Sequence, residues 1–201
     1  MMKQENILYT LFPLEDFKAL MGVDDREDKI ARFCLVTATY SIEQYCRRRL
    51  LLKKHQDVIP FTNVIHLDLN QYPVRKILSV HGMYHLGHPD LIEPEMYTLV
   101  PDEQALEDVP YTVVLSPITK CLMSIAAVRV KYRAGYSPGN VPLDLAAACM
   151  ELAAWNMNRY RGRRIGMTGN IRGNGKDGEH FELSMPMQVR ELLDPYRRKV
   201  I

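Results

Sequence analysis

The stretch Val128-Arg129-Val130-Lys131-Tyr132-Arg133-Ala134-Gly135-Tyr136-Ser137-Pro138-Gly139-Asn140-Val141-Pro142-Leu143-Asp144-Leu145 passes from one kind of secondary structure to another. Its first part closes a β-rich run beginning at Ile125. Gly135 to Asn140 is a turn, rich in residues that tolerate unusual backbone angles. Pro142 and Asp144 then suit the first turn of a helix. That helix is predicted over 142–161, with Leu143, Ala146, Ala147, Met150, Ala153, Ala154 and Met157 as its buried face and Gly162 as its end. A chain that leaves a β region directly into a long helix is read as α+β.

Upstream, from about 55 to 134, short β-rich runs alternate with turn residues. The predicted strands are Val64–Leu69, Val74–Val80, Met96–Val100, Tyr111–Leu115 and Ile125–Tyr132. Before them stand two helices. Leu11–Gly22 has Pro13, Glu15 and Asp16 in its first turn. A longer helix spans about 25–49, with Asp24 and Glu27 at capping-box spacing and Arg47, Arg48 and Arg49 at its C-terminal end. Ile30, Phe33, Thr37, Tyr40 and Gln44 recur along it at helical spacing. Downstream, residues 162–180 carry 6 of the 11 glycines mixed with Arg163, Arg164, Arg172 and Lys176. A basic loop is expected there, then a short helix over 186–193 and an extended tail. The expected architecture is a small bundle of about four helices with an inserted antiparallel β-rich domain. Its parts are 1–54 (helical), 55–134 (β-rich) and 135–201 (helices, loop and tail).

The 201 residues suffice for a substantial core. No apolar run is long enough to span a membrane, and the start Met-Met-Lys-Gln-Glu-Asn lacks signal-peptide features, so the chain is expected to stay in the cytoplasm where it is made. Cys34, Cys46, Cys121 and Cys149 show no C-x-x-C spacing and are expected to be reduced core residues. The net charge of +2 is unevenly spread: residues 129–201 hold 13 Lys/Arg against 7 Asp/Glu. Such a bias suits either a solvated face or contact with a polyanion.

No motif carries an enzyme's chemistry. Gly173-x-Gly175-x-x-Gly178 matches the dinucleotide pattern formally, but follows a helix instead of a strand. Asn170 and Asp177 break the phosphate-loop pattern around Gly175-Lys176. His81, His85 and His88, with His66 and Asp68 upstream, could bind zinc by spacing, yet Gly82, Gly87 and Pro89 make this a polar turn. No G-x-S-x-G or Cys/His signature is present. The expectation is no catalytic residue, no metal and no cofactor. The aromatics do not interleave with the basic loop, so any DNA contact would be to backbone charge without sequence readout.

The order of these segments resembles the head–tail connector (adaptor) proteins of tailed phages, in their longer members with a β-rich insertion. Leu14-Glu15-Asp16-Phe17-Lys18-Ala19-Leu20, Asp24-Asp25 and Ala38 to Arg49 resemble the family's opening helix, acidic turn and long helix with an aromatic and basic end. Tyr72-Pro73-Val74 to Val80 resembles its "P-V-x-x-I-x-S-V" strand, and Met96 to Val100 its "Y-x-V" strand. Val128 to Tyr136 with Val141-Pro142-x-Asp144-Leu145 is similar to the "V-x-Y-x-A-G-Y … V-P-x-D" junction. Arg159 to Arg163 resembles its "N/R-x-R" helix end, and Leu192 to Arg198 its "L-L-x-P-Y-R-R" tail. The glycine loop is richer than the pattern, and 81–95 matches none of it.

The resemblance implies a structural virion protein of a phage or prophage neck, assembled in the host cytoplasm. It implies a ring of about twelve copies beneath the portal protein, a stopper or tail-completion protein on the far face, and double-stranded DNA passing through without a membrane. Portal docking would fall to Leu192, Leu193, Tyr196, Arg197, Arg198, Lys199, Val200 and Ile201, ordering on binding. Arg163, Arg164, Arg172 and Lys176 would face DNA in the lumen. Tyr40, Tyr45, Trp155 and Tyr160 could supply surface beyond the core for neighbouring copies. Loss of residues 186–201 is expected to leave the rest folded. The alternatives are another neck or tail-completion protein, or a soluble metal-binding or DNA-binding host protein.

Overall fold

The computed structural model describes residues 10–61, 66–84, 89–101, 110–116, 125–162 and 185–198. The element order is α1 (Leu14–Met21), α2 (Asp28–Cys46), β1 (Lys53–Pro60), β2 (His66–Asp68), β3 (Val74–Tyr84), β4 (Asp90–Ile92), β5 (Tyr97–Pro101), β6 (Pro110–Leu115), β7 (Ile125–Ala134), α3 (Leu143–Arg161) and α4 (Met187–Leu193). The fold is α+β, a helical bundle with an inserted antiparallel β part. Two compact units form: one from residues 48–137, the other from residues 1–47 and 138–201.

In the β unit, one sheet has the strand order β1-β7-β3-β4 and a second the order β2-β6-β5, every pairing antiparallel. Val80, Val128, Val130 and Tyr132 of the first sheet share a core with Leu67, Val113 and Leu115 of the second. β1 and β4 were not anticipated. The alternation in Lys53–Pro60 is carried by polar residues, exposed or half-buried along the whole strand, so no apolar period marks it. β3 has its inward residues Val74, Ile77 and Val80 three apart, which no regular strand allows. Register shifts at Arg75 and Leu78 absorb the extra residues, so each of the three still faces inward opposite Ala134, Tyr132 and Val130.

Beyond β7, Gly135 (φ 109°) makes the turn. Its N–H donates to Pro73 O, while Tyr136 N–H donates to Leu50 O and Leu52 N–H to Tyr136 O. A Cβ on Gly135 would lie 2.6 Å from the Leu51 carbonyl carbon and oxygen, which only glycine permits. The buried Tyr132 hydroxyl donates to Asp57 Oδ2 at 2.7 Å and accepts from Gln71 N–H, so it is satisfied.

In the helical unit, α2 packs on α1, α3 and α4. Its buried face is Ala31, Cys34, Leu35, Ala38, Ile42 and Cys46. The expected stripe through Phe33, Thr37, Tyr40 and Gln44 points the other way, with Phe33 70% and Tyr40 56% exposed. Small residues line the buried side, and that side lets the helices approach closely. α3 differs likewise: Leu145, Ala148, Cys149, Leu152, Ala153 and Met157 are buried, and Leu143 is exposed. α2 ends at Cys46, not Arg49, because Arg47 adopts a left-handed conformation (φ 55°). Asp24 caps a short 3-10 turn (Asp25–Glu27), accepting from the Arg26 and Glu27 N–H groups. Glu27 turns away from that cap to receive a two-pronged contact from Arg161, which also draws its carboxyl below the usual range.

Candidate assembly surfaces

The outer face of α2 is the first candidate. Phe33, Thr37, Tyr40 and Gln44 recur at i, i+4, i+7 and i+11, one face of a helix. A large aromatic turned to solvent adds little within its own unit, and two in line make this face a candidate surface for another molecule. On α3, Tyr160 is also exposed, whereas Trp155 is half-buried with the Arg159 guanidinium 4.6 Å over its ring. Tyr45 is engaged by the unit's own tail.

That tail is not extended over Asp194–Tyr196. Residues Asp194–Tyr196 form a 3-10 turn, and the segment clasps the end of α2. Tyr45 Oη donates to Asp194 Oδ1 at 2.7 Å, which pushes the phenol pKa up because the bond favours its protonated form. Arg197 lies over the Tyr45 ring at 5.4 Å. Arg198 N–H donates to Cys46 O at 2.9 Å, at the end of α2. Leu193 is fully buried, as is Val189, and Tyr196 is nearly so. The Leu-Leu-Asp-Pro-Tyr-Arg-Arg segment is thus, through Leu193, Asp194, Tyr196, Arg197 and Arg198, a closure of its own bundle. Leu192 is half-buried and Arg197 exposed. Lys199, Val200 and Ile201 lie outside the described residues.

Burial of Val189, Leu193 and Tyr196 argues against the expectation that residues 186–201 are dispensable for folding. Their removal would strip one wall of the helical core.

The basic loop residues Arg163, Arg164, Arg172 and Lys176 also lie outside the described residues, as do Cys121, His85 and His88. Among the described residues no group of three His, Cys, Asp or Glu side chains could hold a metal ion, and no helix is long and apolar enough to cross a membrane. Cys34, Cys46 and Cys149 are buried free thiols. Burial pushes Cys149 up to about 11, and its Sγ lies 3.5 Å from Thr39 Oγ1.

A basic surface does appear where it was not sought. The central strand β7 turns Val128, Val130 and Tyr132 inward and Arg129, Lys131 and Arg133 outward. Across it, Arg133 stands between Lys54 of β1 and Lys76 of β3, Lys131 between Gln56 and Ser79, and Arg129 between Val58 and His81. Lys54, Lys76, Lys131 and Arg133 are exposed. The signal was legible as the alternation Val-Arg-Val-Lys-Tyr-Arg, a strand with one apolar and one cationic face. The regional charge count drew attention instead to the glycine-rich loop.

No family model matches the chain, and no curated protein does. Solved structures do. A chain in the neck of an empty gene transfer agent particle, computed with C6 symmetry, superposes with a TM-score of 0.61 at 18% identity, covering 95% of this chain and 91% of that one. A chain in the virion of a native gene transfer agent particle gives 0.59 at 19% identity, and one in the neck of the native particle, computed with C12 symmetry, gives 0.58 at 18%, each with the same coverage. Likeness over nearly the full length of both chains, at such low identity, establishes that they share a fold.

Proposed function

We propose that the protein is a structural component of the neck of a phage-like particle: a head-to-tail connector that forms a ring beneath the portal and lets DNA pass. The observation that carries this reading is the match, over 95% of this chain, to chains of gene transfer agent necks. Fold likeness alone is a weak warrant for function. It gains force here from an independent resemblance of the sequence, segment by segment and in order, to tailed-phage connectors.

The surfaces suit such a role. A heterologous contact repeated about an axis closes a ring, and each copy then needs surface its own core does not use. The α2 outer face, with Phe33 and Tyr40, is that surface in this proposal. Portal docking is assigned to the final residues 199–201 together with Leu192 and Arg197, which stand beside a clasp that Leu193 and Tyr196 hold in place. The ring of about twelve copies, the stopper or tail-completion partner and the passage of double-stranded DNA belong to the same proposal. So does a purely structural, non-enzymatic role without a cofactor.

The test is light scattering after gel filtration of this protein mixed with the portal protein of the same genome. A complex eluting ahead of the portal alone, with the added mass of many copies, is expected. Two folded proteins eluting separately at micromolar concentration would oppose the reading.

A further inference from the structure

We infer that the outer face of the β1-β7-β3 sheet is a second, sequence-independent contact surface for the phosphate backbone of double-stranded DNA. The proposal rests on the conduit reading above and supplies it with named residues. Lys54, Lys76, Arg129, Lys131 and Arg133, with His81 at their edge, occupy three successive cross-strand rows. Every other residue of β7 is used, so the rows span about 14 Å along the strand, and neighbouring strands lie about 4.8 Å apart. Five cations then sit within one or two Debye lengths of each other at physiological salt, and their potentials add.

The arrangement works against the sheet's own stability. Like charges directly opposite one another destabilise a strand pair, and Arg133 faces a lysine on both sides. Among the described residues no carboxylate relieves them: the outward positions of these rows carry no Asp or Glu, and none of the ion pairs involves these cations. Arg129 Nε and His81 Nδ1 are buried without a hydrogen-bond partner among the described residues. A face so composed is suited to a ligand that brings the missing negative charge.

That ligand is a phosphate backbone and not an acidic protein. Protein interfaces place apolar residues at the centre and charges at the rim, with lysine depleted. Here the centre, β7, is cationic, and the exposed apolar residues Val58, Leu78 and Leu91 lie on the other strands, β1, β3 and β4. Duplex DNA carries a charge about every 1.7 Å of axis, so a patch about 14 Å long meets enough phosphates to neutralise five cations. Contacts to phosphate alone read no sequence, which fits DNA that must slide.

Fluorescence anisotropy of labelled duplexes of two unrelated sequences, with the full-length protein and salt varied from 50 to 200 mM, tests this. The wild type is expected to bind both equally and weakly, roughly in the non-specific 10⁻⁴–10⁻⁶ M range. The triple variant Lys54→Gln, Lys76→Gln, Lys131→Gln is expected to bind at least about tenfold more weakly, with a log–log salt slope shallower by about 2.7. The same variant should melt at a higher temperature than the wild type, because cross-strand repulsion is relieved, so lost binding cannot be lost fold. Several results would overturn the proposal: no binding by the wild type at 50 mM salt; an unchanged triple variant; a loss confined to a variant with Arg163, Arg164, Arg172 and Lys176 changed to Gln; competition by poly-glutamate as strong as by duplex, which would indicate an acidic protein partner; or a marked preference for one sequence. None of these outcomes depends on portal binding, so the two proposals fail separately.

Discussion

Gly135 is fixed by its surroundings and by its backbone together. Its φ of 109° and the Leu51 carbonyl at 2.6 Å from a hypothetical Cβ both exclude a side chain. Gly135→Ala is expected to cost about 2–4 kcal/mol in urea denaturation, from backbone strain and overpacking combined. A smaller change than about 1 kcal/mol would mean that the turn relaxes. Cys149 gives a pH dependence. Its thiol stays protonated in the fold up to about 11, whereas an unfolded thiol titrates near 9. Below pH 9 both states hold the proton and stability is unaffected; between pH 9 and 11 only the unfolded chain releases it, so stability falls by about 3 kcal/mol. Cys149→Ala should lack that share of the alkaline loss when denaturation at pH 8 and pH 10.5 is compared. Both residues were visible in the sequence, Gly135 as a turn former and Cys149 as a core thiol. Their reasons were not, because each depends on tertiary packing: Gly135 on the Leu51 carbonyl, far along the chain, and Cys149 on burial, which raises its pKa while the Thr39 contact opposes the rise.

At the level of elements, position along the chain was easier to read than orientation. α1, α3, α4 and five strands fall close to where turn residues and periodicity put them. On α2 the stripe through Phe33 and Tyr40 was taken as core, whereas the buried side is Ala31, Cys34, Leu35, Ala38, Ile42 and Cys46; on α3 Ala153 and Met157 are buried as expected, but the face is rotated to add Leu145, Ala148, Cys149 and Leu152. The consequence is testable. Phe33→Ser with Tyr40→Ser should leave stability within about 0.5 kcal/mol, as surface changes do, while abolishing self-association in sedimentation velocity. Marked destabilisation would place that face inside the protein's own core. The tail was misread for a related reason: a short segment with charged residues looks too poor in apolar area to fold alone, but it needs only to complete a core that exists already. Leu193→Ala should cost about 3 kcal/mol, and deletion of residues 186–201 should abolish cooperative thermal unfolding of the helical unit by circular dichroism. A cooperative transition in the deletion product would restore the tail as a dispensable appendage.

For the whole molecule, the two interleaved patterns of β7 state the design most compactly. One face holds two sheets together through Val128, Val130 and Tyr132; the other presents Arg129, Lys131 and Arg133. The helical unit adds an aromatic face it does not use internally and a clasped tail with Arg197 outward. An α+β chain with an inserted β part was legible from the junction at residues 128–145, because a strand, a glycine turn and a proline-initiated helix follow one another there without a linker. The surfaces for other molecules were less so, since a sequence shows composition but not which side of an element is left over. Negative-stain electron microscopy of this protein mixed with the portal protein of the same genome bears most directly on the connector reading. A ring-shaped layer added to one face of the portal is predicted; bare portal rings in the presence of folded protein would contradict it.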